Sequence, residues 1–221
     1  MDFIQASLIA ERCQRNWNYD IPVKDQDIET LIQVAINMPT KQNVDYYELI
    51  VSTNKNFNKS CYDSAINPDD PYFESEPNKL RNGQVNAPLL FIWQNSLNGT
   101  ETFDERCLVT RDIDGNNTGD YLDHSVDTAI GISSGATALA AAYLGYKTGF
   151  CACMDMPTLY RKNKETEFLK VSENLLKAHT TLFLGIGNPK DSMIRSDIEK
   201  DGEVFKFIGS YDKDIKVKRI K

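Results

Sequence analysis

The sequence predicts an α+β or α/β sandwich in which helices cover a mainly antiparallel or mixed sheet, built as one domain over residues 1–221. Three observations predict it. Some stretches repeat apolar residues at helical spacing, others alternate or run continuously apolar, and the two kinds interleave with few tight hairpin signals between them. A chain of 221 residues with 41% hydrophobic content is large enough for one substantial core.

Ile4 and Leu8 lie one turn apart behind Asp2, a residue suited to cap a helix, so a first helix is expected over residues 2–12. Ile28, Leu31, Ile32 and Ala35 mark the apolar face of a second, with Asp25 and Asp27 at the positive end of its dipole and Pro39 beyond its end. Tyr47 to Ser52 alternates and is rich in strand formers, and a helical stretch around Phe57 and Cys61 follows it. Leu89 to Trp93 is a continuous apolar run, as expected of a strand buried on both faces. The polar segments 67–77 and 95–120 have no period and are expected to be exposed loops. A central helix over Asp123 to Leu144, a strand near Thr148 to Cys153, one helix between Thr158 and Lys170, and a strand from Thr180 to Gly187 complete the pattern; Asp212 to Lys221 has the composition of a charged tail.

Composition excludes several classes. With 32 acidic against 25 basic residues, the net charge of -7 repels a phosphate backbone, so nucleic acid is not an expected partner. The start Met1-Asp2-Phe3-Ile4-Gln5 lacks the basic and apolar regions of an export signal, and a cytoplasmic location is expected. Five cysteines without a Cys-x-x-Cys, and only His124 and His179 beside them, argue for reduced thiols and against a zinc site. Ala129 to Tyr143 is shorter than the roughly 20 residues of a spanning helix and carries Ser133, Ser134 and Thr137, so no membrane segment is expected. Its Gly131-x-x-x-Gly135 suits close packing, within the fold or between subunits. Asp112-x-Asp114-x-Asn116 has the outline of a calcium loop, but Asn117 and Asp123 stand where Gly and Glu are needed. Gly185-x-Gly187 lacks the third glycine and the following helix of a dinucleotide fingerprint.

The motifs that remain are Arg12-Cys13-Gln14-Arg15-Asn16 after the first helix, Pro22-Val23 before the second, and Pro39-Thr40-Lys41-Gln42-Asn43 leading into Glu48-Leu49-Ile50-Val51. Farther on come Asn86-Ala87-Pro88-Leu89-Leu90, Asp127 to Gly149, and Leu184-Gly185-Ile186-Gly187-Asn188-Pro189. In order and spacing this series resembles the nitroreductase family over most of the chain. The resemblance implies an α/β/α sandwich and an FMN held between the two chains of a homodimer.

It also implies roles. Arg12 stands where the family binds the flavin phosphate, a dianion for which a guanidinium supplies planar, charge-assisted hydrogen bonds. Cys13, Gln14 and Asn16 belong to the same cofactor segment; Gln14 replaces the usual Ser, and Asn16 replaces the usual Arg or Lys beside flavin N1. Pro39, Thr40, Lys41 and Asn43 form the loop that reaches flavin from the neighbouring subunit, and Asp45-Tyr46-Tyr47 after it replaces the common Gln-Pro-Trp. Asn82, in a stretch that includes Lys79 and Arg81, falls where the ribityl chain is contacted, and Cys151, Ala152 and Cys153 fall on the strand whose backbone N–H groups reach N5. Lys216 and Lys218 resemble basic residues that add phosphate contacts. Cys-x-Cys on a strand turns both side chains to one face without the geometry of a redox pair, so these thiols are expected only to line the site.

The activity implied is transfer of hydride from NAD(P)H through FMN to an electron-poor acceptor such as a nitroaromatic, quinone or enone, by turns in one pocket. No side-chain nucleophile or metal is required, in keeping with two histidines and no triad pattern. The altered loops leave two alternatives open. One is a relative that dehalogenates, desaturates or fragments; the other is a protein that stores FMN without turnover.

Overall fold

A computed structural model describes residues 1–65, 82–95, 121–178 and 180–190. They belong to one compact unit, Met1–Asp191. In chain order the elements are helix α1 (Phe3–Ala10), α2 (Asp25–Ile36), strand β1 (Tyr47–Ser52), α3 (Lys55–Ser64), β2 (Leu89–Asn95), α4 (Tyr121–Tyr143), β3 (Lys147–Cys151), α5 (Met156–Asn163), α6 (Leu169–Lys177) and β4 (Thr181–Gly187). The strands form one sheet in the order β1-β2-β4-β3, every neighbouring pair antiparallel.

Local chemistry accounts for most boundaries. Asp2 closes a capping box with Gln5, accepting from its backbone N–H at 2.8 Å while the Gln5 side chain accepts from the Asp2 N–H. Asn54 caps α3 by accepting from the backbone of Asn56 and Phe57, and Asp155 caps α5 by accepting from Thr158 at 3.1 Å.

Alternation along β2 splits the core into two layers. Leu89, Phe91 and Trp93 face α2 and α4, packing with Leu31, Ala35, Ile130 and Ala138, whereas Leu90 and Ile92 face Phe57, Cys61, Leu159 and Leu175. Strand β4 repeats the division, with Leu184 and Ile186 on the first face and Phe183 on the second. Both middle strands are thus covered by helices on each side, as their unbroken apolar sequences predict, and each large side chain buried there contributes about 1.5–3 kcal/mol. The antiparallel sheet and two helical layers agree with the α+β sandwich expected.

Some expectations require correction. The single helix anticipated between Thr158 and Lys170 is two, because the Thr166 hydroxyl and N–H both donate to the Asn163 carbonyl and end α5. Phe168 then turns its ring onto Phe57, 5.1 Å between centroids, before α6 begins. Strand β3 stops at Cys151 instead of Cys153, so the two cysteines do not share a strand face: Cys151 is buried and Cys153 exposed. Among the described residues a Cβ at Gly131 or Gly135 of α4 would meet nothing within 4 Å, so no intrachain packing of the kind this spacing suits is found there. Asn95, expected to open the polar loop, ends β2; residues 67–77, 96–120 and the charged tail lie outside the described residues.

Candidate cofactor site

After α1, the chain passes the outer edge of β3 at Cys13 and Gln14 and then, over Asn16 to Asn18, the residues that follow β4. Cys13 pairs with Thr148, and the Gln14 N–H donates to the Thr148 carbonyl at 2.7 Å. Trp17 anchors the segment: its buried indole N–H donates to the Gly83 carbonyl at 2.8 Å, and its backbone pairs with Pro189. Asn18 N–H to Asn188 O and Lys190 N–H to Asn16 O complete the attachment beyond β4. The segment is therefore held by β3, by the turn Gly83–Val85 and by the residues that follow β4.

Glycines permit this layering. A Cβ at Gly149 would lie 2.4 Å from the Gln14 carbonyl oxygen, one at Gly83 2.6 Å from that of Arg15, and one at Gly185 1.9 Å from that of Gln84. No side chain fits at these crossings, which explains why glycine occurs inside two strands that are otherwise strong strand formers.

The polar groups brought together are Gln14, Arg15, Asn16 and Gln84. Gln14 is buried and donates through its amide nitrogen to the Asn16 carbonyl. Arg15 Nη1 reaches the Cys13 carbonyl at 3.4 Å. Gln84, buried against the Gly149 position, has an amide oxygen with no hydrogen-bond partner among the described residues. A buried acceptor left unsatisfied is unfavourable by about 1–3 kcal/mol, so a group that satisfies it binds with that advantage. Sequence reasoning missed Gln84 and Trp17; the available signal was a glutamine beside Gly83 at the entry to an apolar strand. Asn82, which precedes that turn, was singled out, and its carbonyl accepts from Val85. Arg12 is exposed where α1 ends, its backbone N–H bonded to Ile9.

Thiols collect at the same place. Cys13 donates to the Phe150 carbonyl and Cys151 to the Cys153 carbonyl, each at 3.9 Å. Burial pushes the Cys151 thiol up to about 12, opposed by its hydrogen bond to the Cys153 carbonyl and by Arg15, while the neighbouring Cys153 and Cys13 thiols add to the rise; burial also raises Cys61. Both folded values exceed the unfolded thiol range, so the stability these groups contribute is fully present below about pH 8.5 and is lost as pH climbs toward the folded values, because only the unfolded chain ionises. The urea midpoint should therefore fall between about pH 8 and about pH 10, at about 1.4 kcal/mol per thiol per pH unit, and fall less in Cys151→Ser. A midpoint equal at both pH values overturns this.

The loop Pro39–Asn43 stands elsewhere. Its position is set by the end of α2, where the Ala35 carbonyl accepts from Ser133 Oγ at 2.7 Å and from the Tyr47 hydroxyl at 2.6 Å, while Trp93 Nε1 donates to Ser133 at 2.9 Å. Asn43 takes a left-handed φ of 57° and its N–H closes a turn on the Thr40 carbonyl. Pro39, Thr40, Lys41 and Asn43 are not joined to the Arg12–Asn16 group within one chain; among the described residues the loop's backbone bonds are internal, Asn43 to Thr40 and Val44 to Lys41. Ala152 and Cys153 form an exposed turn after β3. Lys216 and Lys218 lie outside the described residues, as do Lys79 and Arg81.

Among the described residues no cluster of three or more His, Cys, Asp or Glu side chains is placed to hold a metal ion, and no helix is long and apolar enough to cross a membrane. No protein-family model and no curated protein matches the sequence. Solved structures do match. A nitroreductase family protein from Clostridium novyi NT superposes with a TM-score of 0.56 at 14% identity, covering 87% of each chain. One from Clostridium difficile 630 gives 0.53 at 18% identity, covering 90% of this chain and 91% of the other. The NADPH:FMN oxidoreductase from Vibrio harveyi, solved in complex with NAD+, gives 0.54 at 12% identity, covering 86% of this chain and 70% of the other. The chain has the nitroreductase fold.

Proposed function

We propose, from that fold as the premise, that the protein is a nitroreductase-like, FMN-dependent oxidoreductase of the cytoplasm, carrying reducing equivalents from NAD(P)H to an electron-poor small molecule of nitroaromatic, quinone or enone type, and working as a homodimer. The observation that carries it is the convergence of Gln14, Arg15 and Gln84 with the middle of β3 at glycine-lined crossings, where the Gln84 amide oxygen is buried with no donor among the described residues.

The donor set suits FMN. Arg12 and Arg15 supply guanidinium groups to a phosphate dianion, and the Gln84 amide offers an acceptor to a ring N–H. Bound FMN would supply the acceptance and delivery of hydride. The chain's part is to hold and orient: Arg12 the phosphate, Gln14, Asn16, Asn82 and Gln84 polar edges, the Cys151–Cys153 turn its main-chain N–H groups, and Pro39–Asn43 of the second subunit the other side. Lys216 and Lys218 belong to the same assignment as phosphate contacts.

The surface supports the second subunit. Phe3, Ile4 and Leu8 of α1 are 67%, 71% and 59% exposed, α1 packs on α4, and α4 presents Ile132 beside the uncovered Gly131 and Gly135. Apolar residues beside uncovered small ones let a second copy approach closely and bury this surface.

The purified protein should be yellow or take up one FMN per chain, and anaerobic NADH or NADPH should bleach it. A chain that takes up none refutes the proposal; a yellow protein that neither donor bleaches favours storage, the alternative suggested by the uncharged Asn16. Arg12→Ala should weaken FMN binding by about tenfold to a hundredfold, the range of a hydrogen bond to a charged group. An unchanged dissociation constant removes Arg12 from the site.

A further inference from the structure

The last carbonyls of a helix have no partner inside it, and α2 satisfies two of them in different ways. Asn37 serves the Gln33 carbonyl locally, through its backbone N–H at 3.2 Å and its side-chain amide nitrogen at 2.8 Å. The Ala35 carbonyl draws both its donors from other elements: the Ser133 hydroxyl of α4 at 2.7 Å and the Tyr47 hydroxyl of β1 at 2.6 Å. Two donors occupy both lone pairs of that oxygen. Trp93 of β2 donates its indole N–H to Ser133 Oγ at 2.9 Å, which leaves the Ser133 proton to point at Ala35. Ala35, Trp93 and Ser133 are fully buried, so water cannot readily replace any of these partners.

The consequence falls on the loop between α2 and β1. The chain leaves α2 just after Ala35 and returns to the same carbonyl through Tyr47, 12 residues on, so one oxygen closes the base of the whole excursion. Val44 and Tyr46 seat the returning limb against the core. The tip has backbone bonds of its own, Asn43 N–H to Thr40 at 3.1 Å and Val44 N–H to Lys41 at 3.4 Å. We propose that Ser133 and Tyr47 are positioning residues for the cofactor: through the Ala35 carbonyl they fix the direction from which Thr40 and Asn43 meet flavin, and so set its affinity without touching it. The proposal rests on the reading above that this loop reaches the flavin of the second subunit.

The test uses the full-length chain with Tyr47→Phe, Ser133→Ala and, as control, Thr137→Ala. The Thr137 hydroxyl is as buried as that of Ser133 but donates to the Ser133 carbonyl at 2.8 Å, a bond internal to α4. Tyr47→Phe is the cleaner variant, since Ser133→Ala also strands the buried Trp93 N–H. In flavin-free protein, hydrogen exchange at the Asn43 and Val44 N–H groups should speed by about threefold to tenfold in Tyr47→Phe, the range of one net hydrogen bond, and at least as much in Ser133→Ala. Thr137→Ala should keep the parent's rates. The FMN dissociation constant should rise over the same range in the first two variants and stay within about twofold of the parent's in the control. Parent-like exchange in Tyr47→Phe overturns the proposal. So does faster exchange with an unchanged dissociation constant, or an equal rise in Thr137→Ala, which would make the effect one of general stability. A parent that takes up no FMN refutes the function proposed above, while the exchange rates still decide whether the two hydroxyls fix the loop.

Discussion

Gly149→Ala is expected to abolish FMN uptake and to lower stability by about 3 kcal/mol or more, the upper end of the usual overpacking range, because the obstacle is backbone and not a flexible side chain. The new methyl carbon would stand 2.4 Å from the Gln14 carbonyl oxygen and 3.0 Å from Gln84 Cγ. Neither neighbour moves cheaply. Gln14 is bonded to Thr148 through its N–H, and Trp17 three residues later is tied to Gly83. To relieve the contact, either β3 peels from β4 or the Arg12–Asn16 segment lifts from the sheet edge and carries both guanidinium groups with it. Circular dichroism separates unfolding from local displacement, and a flavin titration measures the consequence for the site. A folded variant that binds FMN within about threefold of the parent would detach this segment from the cofactor assignment.

A second large effect concerns the subunits. Arg12→Glu and Asn43→Asp should each leave an empty dimer, the first by opposing a carboxylate to the flavin phosphate and the second by opposing one to a polar ring edge. Aspartate tolerates the left-handed backbone at position 43, where φ is 57°, so that substitution changes charge without forcing the loop. When the two variants are unfolded together and refolded, about half of the dimers are mixed, and each mixed dimer joins one doubly altered site to one intact site. About a quarter of the parent's flavin should return. Recovery near zero, with mixed dimers confirmed by mass, would place Arg12 and Asn43 in the same site of the same chain or remove one of them from flavin altogether.

Local chemistry made the elements legible and close approach hid much of the site. Asp2 marked its capping box, the alternation of Tyr47 to Ser52 marked β1 with its true limits, and the unbroken run from Leu89 to Trp93 announced burial on both faces. Each signal lies within a few residues of what it determines. The break after Asn163 was not legible, because residues 161–167 are all polar and hold no apolar period that could show a stop, and the deciding bonds come from the Thr166 side chain and backbone. The end of β3 at Cys151 depends on the isolated pairing of Ala65 with Met154, which period-two reasoning does not contain. Arg12, Gln14 and Asn16 are proposed for the site from their motif alone; the structure sets Gln14 against β3 and Asn16 against the residues after β4. Trp17 and Gln84 were invisible because their significance is tertiary: a hydrogen bond across 66 residues for the first, and for the second a side-chain stem against Gly149 and a backbone carbonyl against Gly185.

The strand order β1-β2-β4-β3 governs how the chain matures during synthesis. No tight turn joins neighbouring strands, and of the two middle ones, Leu89–Asn95 and Thr181–Gly187, the second is the last of the described regular elements, so the sheet's centre can close only once both have left the ribosome. Until then Phe91 and Trp93 lack the cover of β4, and β2 offers an open apolar edge to any other nascent strand. At synthesis rates of about 5–20 residues per second, the roughly ninety residues between these strands keep that edge open for several seconds, an interval in which holding chaperones have their clearest opportunity to act.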